Sequence, residues 1–250
     1  MKKFELTSET RVHLGTTLYR IKALISFGNV SAGDLGGFVE KEENLDQFGS
    51  SWVSDNAWVY GDARVDGDAR VYGNAWVCGD AWVCGNARVY GNAWVCGDAW
   101  VYGNARVDGN ARVDGDARVC GDAWVYGNAR VDGNASVCGN AWVYGNARVD
   151  GNASVCGNAR VYGDARVDGN ARVDKISSVF WISAIGSRND TSTFFKCNDG
   201  KIRVSCGCFF GDLEEFSAKV KKTHGENEYG RVYMLAIEIA KARISLEGEQ

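Results

Sequence analysis

Several side chains able to do chemistry recur at one fixed interval through the middle of this 250-residue chain. Arg112, Arg130, Arg148 and Arg166 form one such row. Guanidinium forks along a line could hold phosphates or acidic sugars. Read with Tyr126, Tyr144 and Tyr162 beside it, the row becomes an Arg–Tyr plate for an anionic ligand or a partner. Trp58, Trp76 and Trp94, read with Tyr72 and Tyr90, form an aromatic plate. Exposed apolar patches of that size mark interfaces, here for self-association or a partner. The plainer reading of both plates is a ladder that only stabilises its sheet by like-on-like stacking. Asp114, Asp132, Asp150 and Asp168, read as bordered by Arg118, Ser136, Ser154 and Arg172, form a carboxylate row. A hard cation could relieve its repulsion, as could flanking arginines and water, and no metal is assigned. Cys120, Cys138 and Cys156 are expected to be free thiols, because stacked strands should hold Cβ atoms beyond the mean disulfide separation of about 3.8 Å.

The usual apparatus of catalysis is sparse. Both histidines, His13 and His224, lie outside the recurring rows. Cys197, Cys206 and Cys208 with His224 are the other metal-like set. Their C-x8-C-x-C spacing is not the C-x2-C of a zinc knuckle, although strand residues 206 and 208 would face the same way. Zinc is left open there, and no cofactor is assigned.

The rows need an element that repeats them. From Val53 to Val173 every sixth residue is Val, within the phrase V-x-G-[ND]-A-x. Recurrent Gly and Asn/Asp with β-branched Val exclude helix and give a short strand followed by a corner. A fixed period of one hexad means a solenoid. In its strands Val points inward and its two neighbours point outward. Residues three hexads apart resemble each other, whereas residues two hexads apart mix Cys, Tyr and Asp. Three hexads therefore close one coil, and about 7 coils build a triangular prism roughly 30 Å long. Asn74, Asn92, Asn110, Asn128 and Asn146 should hydrogen-bond along the axis.

The V-x-G-[ND]-A-x phrase resembles the hexapeptide repeat of left-handed parallel β-helices, whose best-known members are the hexapeptide acyltransferases. The left hand is what the resemblance implies. Those enzymes use a His near a prism face, a loop that breaks the coil, and a trimer, while the β-helical carbonic anhydrases use three His ligands. This repeat contains neither His nor insertion, and it lacks the Thr rows of an ice-binding face. The segments "LYRIKALISFGNVSAGDLGGFVEKEENL", "GNARVYGNAWV" and "FFKCNDGKIRVSCGCFFGDLEEF" resemble uncharacterised hexapeptide-repeat proteins of bacteria, prophages and phages. That resemblance implies a display surface of variable length.

The expected architecture is mainly β, a single-stranded left-handed parallel β-helix with a cap at each end. Residues 1–51 read as an N-terminal β cap, with two strands joined at Gly15 and with Leu35, Phe38, Val39 and Leu45 covering the prism end. Residues 52–174 are the repeat. Residues 175–250 read as an α+β cap of three strands and two helices, with an "NDG" turn and Asp212 as a helix N-cap. The net charge of −4 comes from the repeat, with no run of like charge, which argues against general nucleic-acid or membrane affinity. With no signal-like start and no spanning apolar run, a soluble cytoplasmic protein is expected, in the host cytoplasm if phage-encoded. The sequence reads as a non-enzymatic binding or scaffold protein. Its partner would be a protein, an anionic ligand or further copies of itself, a trimer among them. An acyltransferase-like enzyme and a self-assembling structural protein are the alternatives.

Overall fold

A two-residue strand cannot stand alone, so each hexad depends on the coil above and below it. The computed structural model describes residues 2–244. β1 (Phe4–His13), β2 (Thr16–Ala23) and β3 (Leu35–Val39) precede the repeat strands β4–β24, which run from Trp52–Val53 to Arg172–Val173. The repeat strands divide into three parallel sheets, seven strands to each. Each strand pairs with the one three hexads on, so Trp94 lies opposite Arg112 and Val95 opposite Val113. Each hexad donates up to three backbone hydrogen bonds to the next coil, as from Asn92 N to Gly109 O (2.7 Å), Trp94 N to Ala111 O (2.9 Å) and Cys96 N to Val113 O (3.0 Å). The N-terminal segment adds a rung before the repeat begins. Phe38 and Val39 pair in parallel with Trp58 and Val59, and Leu45 bridges Val65. The result is a parallel β-solenoid of about eight turns.

The interior is a column of Val and Ala, each at most 1 % exposed. At a corner such as Gly109 the backbone takes φ +67°, and an added Cβ would lie 3.0 Å from Gly127 N. Glycine is required there by conformation and by space. The next corner residue builds the expected amide ladder. Asn74, Asn92, Asn110 and Asn128 each donate Nδ2 to Oδ1 one coil on, at 3.0–3.2 Å. Asn146 ends the run by donating to Asp164 at 2.9 Å, since a carboxylate accepts but cannot pass the chain on.

The prism is polar along its axis. Its first coil presents carbonyls, and the N-terminal segment supplies donors. Asn44 Nδ2 reaches Gly61 O and Ala63 O at 3.0 and 2.8 Å. The fully buried Lys3 ammonium donates to Phe48 O, Ser51 O and Ser51 Oγ at 3.0–3.1 Å. Burial pushes its pKa down to about 8. Phe38, Val39 and Leu45 are buried as expected, whereas Leu35 is exposed. At the far end an N–H needs an acceptor, and Arg166 N donates to Thr193 Oγ1 at 2.9 Å.

The C-terminal cap has four antiparallel strands, β25 (Val179–Ile185), β26 (Asp190–Lys196), β27 (Ile202–Cys206) and β28 (Phe209–Asp212), followed by α1 (Leu213–His224) and α2 (Glu228–Arg243). β28 is a strand beyond the three expected. Its four residues end on the Asp212 N-cap itself, where "FFGD" looks like a helix approach. Strand alternation makes β26 a two-sided wall. Phe195 joins the prism core and Phe194 joins the core beneath the helices. No helix among the described residues is long and apolar enough to cross a membrane.

The expectation of three free thiols at Cys120, Cys138 and Cys156 is overturned for the first two. Cys78 is bonded to Cys96, and Cys120 to Cys138. Their Cα atoms are 4.7 and 4.6 Å apart, one rung of the stack and inside the range a disulfide spans. Cys84 and Cys156 are thiols.

Two predictions concern stability. Lys3→Met leaves buried carbonyls without donors and should cost on the order of 2–3 kcal/mol in urea unfolding. Because the folded Lys3 holds its proton less tightly than the unfolded one, wild-type stability should rise on this residue's account from about pH 8 toward the ordinary lysine range. The rise should be absent in Lys3→Met. Separately, Asp98 has its pKa raised by desolvation first and then by Asp80 and Asp116. The stability it contributes is complete below its usual pKa and lost as pH rises through the shifted value. Asp98→Asn should therefore melt higher than wild type at neutral pH, with the gap closing near about pH 3 in calorimetry.

Candidate binding surface

Outward residues on either side of one Val share a prism face, because strand neighbours alternate. This rule regroups the expected plates. The row before Val on face one is Trp58, Trp76, Trp94, Arg112, Arg130, Arg148 and Arg166, the outer positions of β5, β8, β11, β14, β17, β20 and β23. The row after Val in the same hexads is Tyr60, Cys78, Cys96, Asp114, Asp132, Asp150 and Asp168. The four arginines thus stand beside the Asp row, and the Tyr126–Tyr144–Tyr162 row belongs to another face. The expected Arg–Tyr plate joins rows across a corner, which the fold separates. Each Arg of face one carries a carboxylate in its own hexad, so the surface is charge-balanced and a poor anion cradle. The Asp carboxylates turn to their own corners, as Asp114 Oδ1 does in accepting from Gly115 N at 2.8 Å. Arg118, Ser136, Ser154 and Arg172 stand instead beside the row of face three that carries the cysteines.

The expected aromatic plate is divided in the same way. Trp58, Trp76 and Trp94 stack with centroids 4.8–4.9 Å apart. Tyr72 and Tyr90 stack on each other, but on face two beside Arg70 and Arg88. The Trp row is exposed at Trp94 but covered at its start. The β1–β2 hairpin lays His13 against Trp58 (5.0 Å), Tyr60 (5.7 Å) and Trp76 (4.8 Å), and Arg112 lies 4.5 Å over Trp94. His13 is part of a cap contact. His224 packs on Tyr229 and Tyr233. Cys197 lies in the prism core, Cys206 packs against the helix core and Cys208 is exposed. The C-terminal thiols and His224 are therefore not one site. Among the described residues no three His, Cys, Asp or Glu groups are placed to hold a metal.

Two aromatic surfaces lie clear of the hairpin: the exposed Trp82–Trp100 pair of face three, and a longer run on the C-terminal half of face two. There Trp124, Trp142 and Arg160 share hexads with Tyr126, Tyr144 and Tyr162. The Tyr rings stack at 4.8 and 4.9 Å, and the two Trp rings meet edge-on at 5.6 Å. Arg106 lies 5.6 Å over Trp124 at one end, and Arg160 lies 4.8 Å over Trp142 at the other. Trp181 of β25 extends the strip, its ring 4.4 Å from Tyr162. A cavity of about 370 Å³ continues from there, lined by Tyr162, Val179, Phe180, Trp181, Ile239 and Arg243. Trp124 and Trp142 are legible as face partners of the Tyr row by strand alternation alone. Trp181 carries no sequence signal, since only the docking of the cap brings it there.

The electrostatics disfavour nucleophilic chemistry at Cys84 and at the stacked tyrosines. Burial, then the Tyr144 neighbour, raises the Tyr126 pKa, and burial, then Tyr162, raises that of Tyr144. Burial, then the Asp108 carboxylate, pushes Tyr90 up to about 12. Burial, then Asp66, pushes the Cys84 thiol up to about 11. These groups are protonated near neutrality. The His13 contacts carry a prediction. His13→Ala should cost about 1 kcal/mol and speed amide exchange about fivefold at the β1–β2 tip, with the central prism unchanged.

A family model described as the YdcK beta solenoid repeat matches residues 63–79, 69–85, 81–97 and 153–169. All four windows lie in the prism. No curated protein matches the chain. Over those windows the chain is similar to YdcK-type β-solenoid repeats.

Proposed function

We propose that this protein is a non-enzymatic binding scaffold and that its partner docks on the C-terminal half of face two. The observation that carries this reading is the strip running from Arg106 through Trp124, Tyr126, Trp142 and Tyr144 to Tyr162 and Trp181. It is longer than the exposed Trp82–Trp100 pair of face three, and Trp181 of the C-terminal cap extends it, whereas His13 covers the Trp58–Trp76 stack. Its length of about 14 Å, three spacings between four rungs, suits a partner segment rather than a single small molecule. Arg106 and Arg160, with Arg243 at the end cavity, give it a positive rim, and Asp108 is the acid among its outward face positions. The matching partner is a protein presenting apolar or aromatic side chains edged by carboxylates. The resemblance to prophage-encoded repeat proteins makes a host protein the natural candidate. The absence of His from the repeat, and the raised pKa values of its Tyr and Cys groups, weigh against the acyltransferase-like reading.

The test compares capture from host lysate by wild type, by Trp142→Ser/Tyr144→Ser on face two, and by Arg130→Ser/Arg148→Ser on face one. The face-two pair should lose a defined partner by tenfold or more, about 1.4 kcal/mol at least, and the face-one pair should keep it. Equal capture by all three would remove the face-two assignment. Light scattering on the same variants reads self-association. A wild-type oligomer that the face-two pair dissolves would make the partner a second copy.

A further inference from the structure

We infer that Cys120, Cys138 and Cys156 form a thiol–disulfide exchange site in which one disulfide moves along a three-rung ladder. The Cys120–Cys138 bond spans one rung, and Cys156 is a free thiol on the rung after it. The backbone repeats across both steps. Val119 faces Val137, and Val137 faces Val155, in the same parallel register. Cys120 N bonds Val137 O and Cys138 N bonds Val155 O, each at 2.9 Å. Cys138 therefore meets a sulfur of the same kind on either side. Exchange needs no oxidant. The Cys156 thiolate attacks Sγ of Cys138, the Cys120–Cys138 bond breaks, and its electron pair leaves on Cys120, which takes up the proton that Cys156 gave up.

A second observation singles out these rungs. The position before Val is Trp or Arg from Trp52 to Arg172, except at Ser136 and Ser154. Those two serines sit beside Cys138 and Cys156, the attacked and attacking sulfurs. The row carries its two smallest side chains there, which leaves room for exchange and for small soluble thiols or disulfides at the half-buried Cys138 and Cys156. The Cys78–Cys96 pair is built differently. Trp76 and Trp94 flank it, Tyr60 and Asp114 occupy the adjoining rungs, and no third sulfur is in line. It is a fixed bond and serves as an internal control.

The experiment oxidises the full chain with glutathione disulfide, which yields two glutathiones for each protein disulfide formed. Free thiols are then capped with N-ethylmaleimide in the folded protein before denaturation and digestion. Trypsin places the three cysteines in separate peptides, 119–130, 131–148 and 149–160. In wild type Cys138 should stay uncapped, and the label should be shared between Cys120 and Cys156. The two cross-linked pairs should lie within about tenfold of each other, because the rungs are equivalent. In Cys120→Ser the bond should move to Cys138–Cys156, and the Cys156 label should fall at least about tenfold. The proposal requires both results. Label confined to Cys156 in wild type overturns it, as does a Cys156 that stays fully labelled in Cys120→Ser. Cys138 labelled under conditions where Cys78–Cys96 forms overturns it as well.

Discussion

In-register stacking of coil on coil is the constraint from which the rest of this protein follows. A two-residue strand has almost no stability by itself. It persists because each coil's N–H groups meet carbonyls of the next coil at 2.7–3.1 Å, and because Val and Ala then fill the axis. The same stacking makes the two prism ends unlike. One end offers carbonyls and draws the Lys3 ammonium and the Asn44 amide. The other offers N–H groups and meets a Thr193 hydroxyl. The caps are therefore chemically specific lids, each matched to the polarity of the end it closes.

Stacking also places like on like, and the outcome depends on the side chain. Amides gain, because Asn both donates and accepts along the axis. Phenols stack as nearly parallel rings. Carboxylates repel, and Asp98 holds its proton more tightly through desolvation first and then through Asp80 and Asp116. Thiols come within bonding distance. One backbone geometry thus yields a zipper, an aromatic plate, a repelling charge row or a cross-link, depending on which residue fills one slot of the hexad. The surface is diverse although the fold is monotonous.

Much of this is written in the chain. The Val period fixes the solenoid, the likeness of every third hexad fixes the coil, and the [ND] corner fixes the amide ladder from Asn74 to Asn146. The candidate surface is less legible. Strand alternation alone joins Trp124 and Trp142 to Tyr126 and Tyr144, since residues flanking one Val lie on one face. Pairing rows across a corner instead sets the arginines of face one beside tyrosines, where the fold sets them beside Asp114, Asp132, Asp150 and Asp168. The free-thiol expectation fails for a different reason. It takes a mean disulfide separation as a limit, whereas Cα atoms one rung apart already lie within bonding range.

By itself the sequence determined the coil, its register and the contents of each row, because these are local and recur with the hexad or with the coil of three. Only the tertiary structure decided which rows stay open. The β1–β2 hairpin folds His13 over Trp58 and Trp76, and the C-terminal cap lays Trp181 beside Tyr162. Both contacts join segments that follow no repeat, so no periodicity foretells them. They follow from how each cap must sit to satisfy the end of the prism it covers.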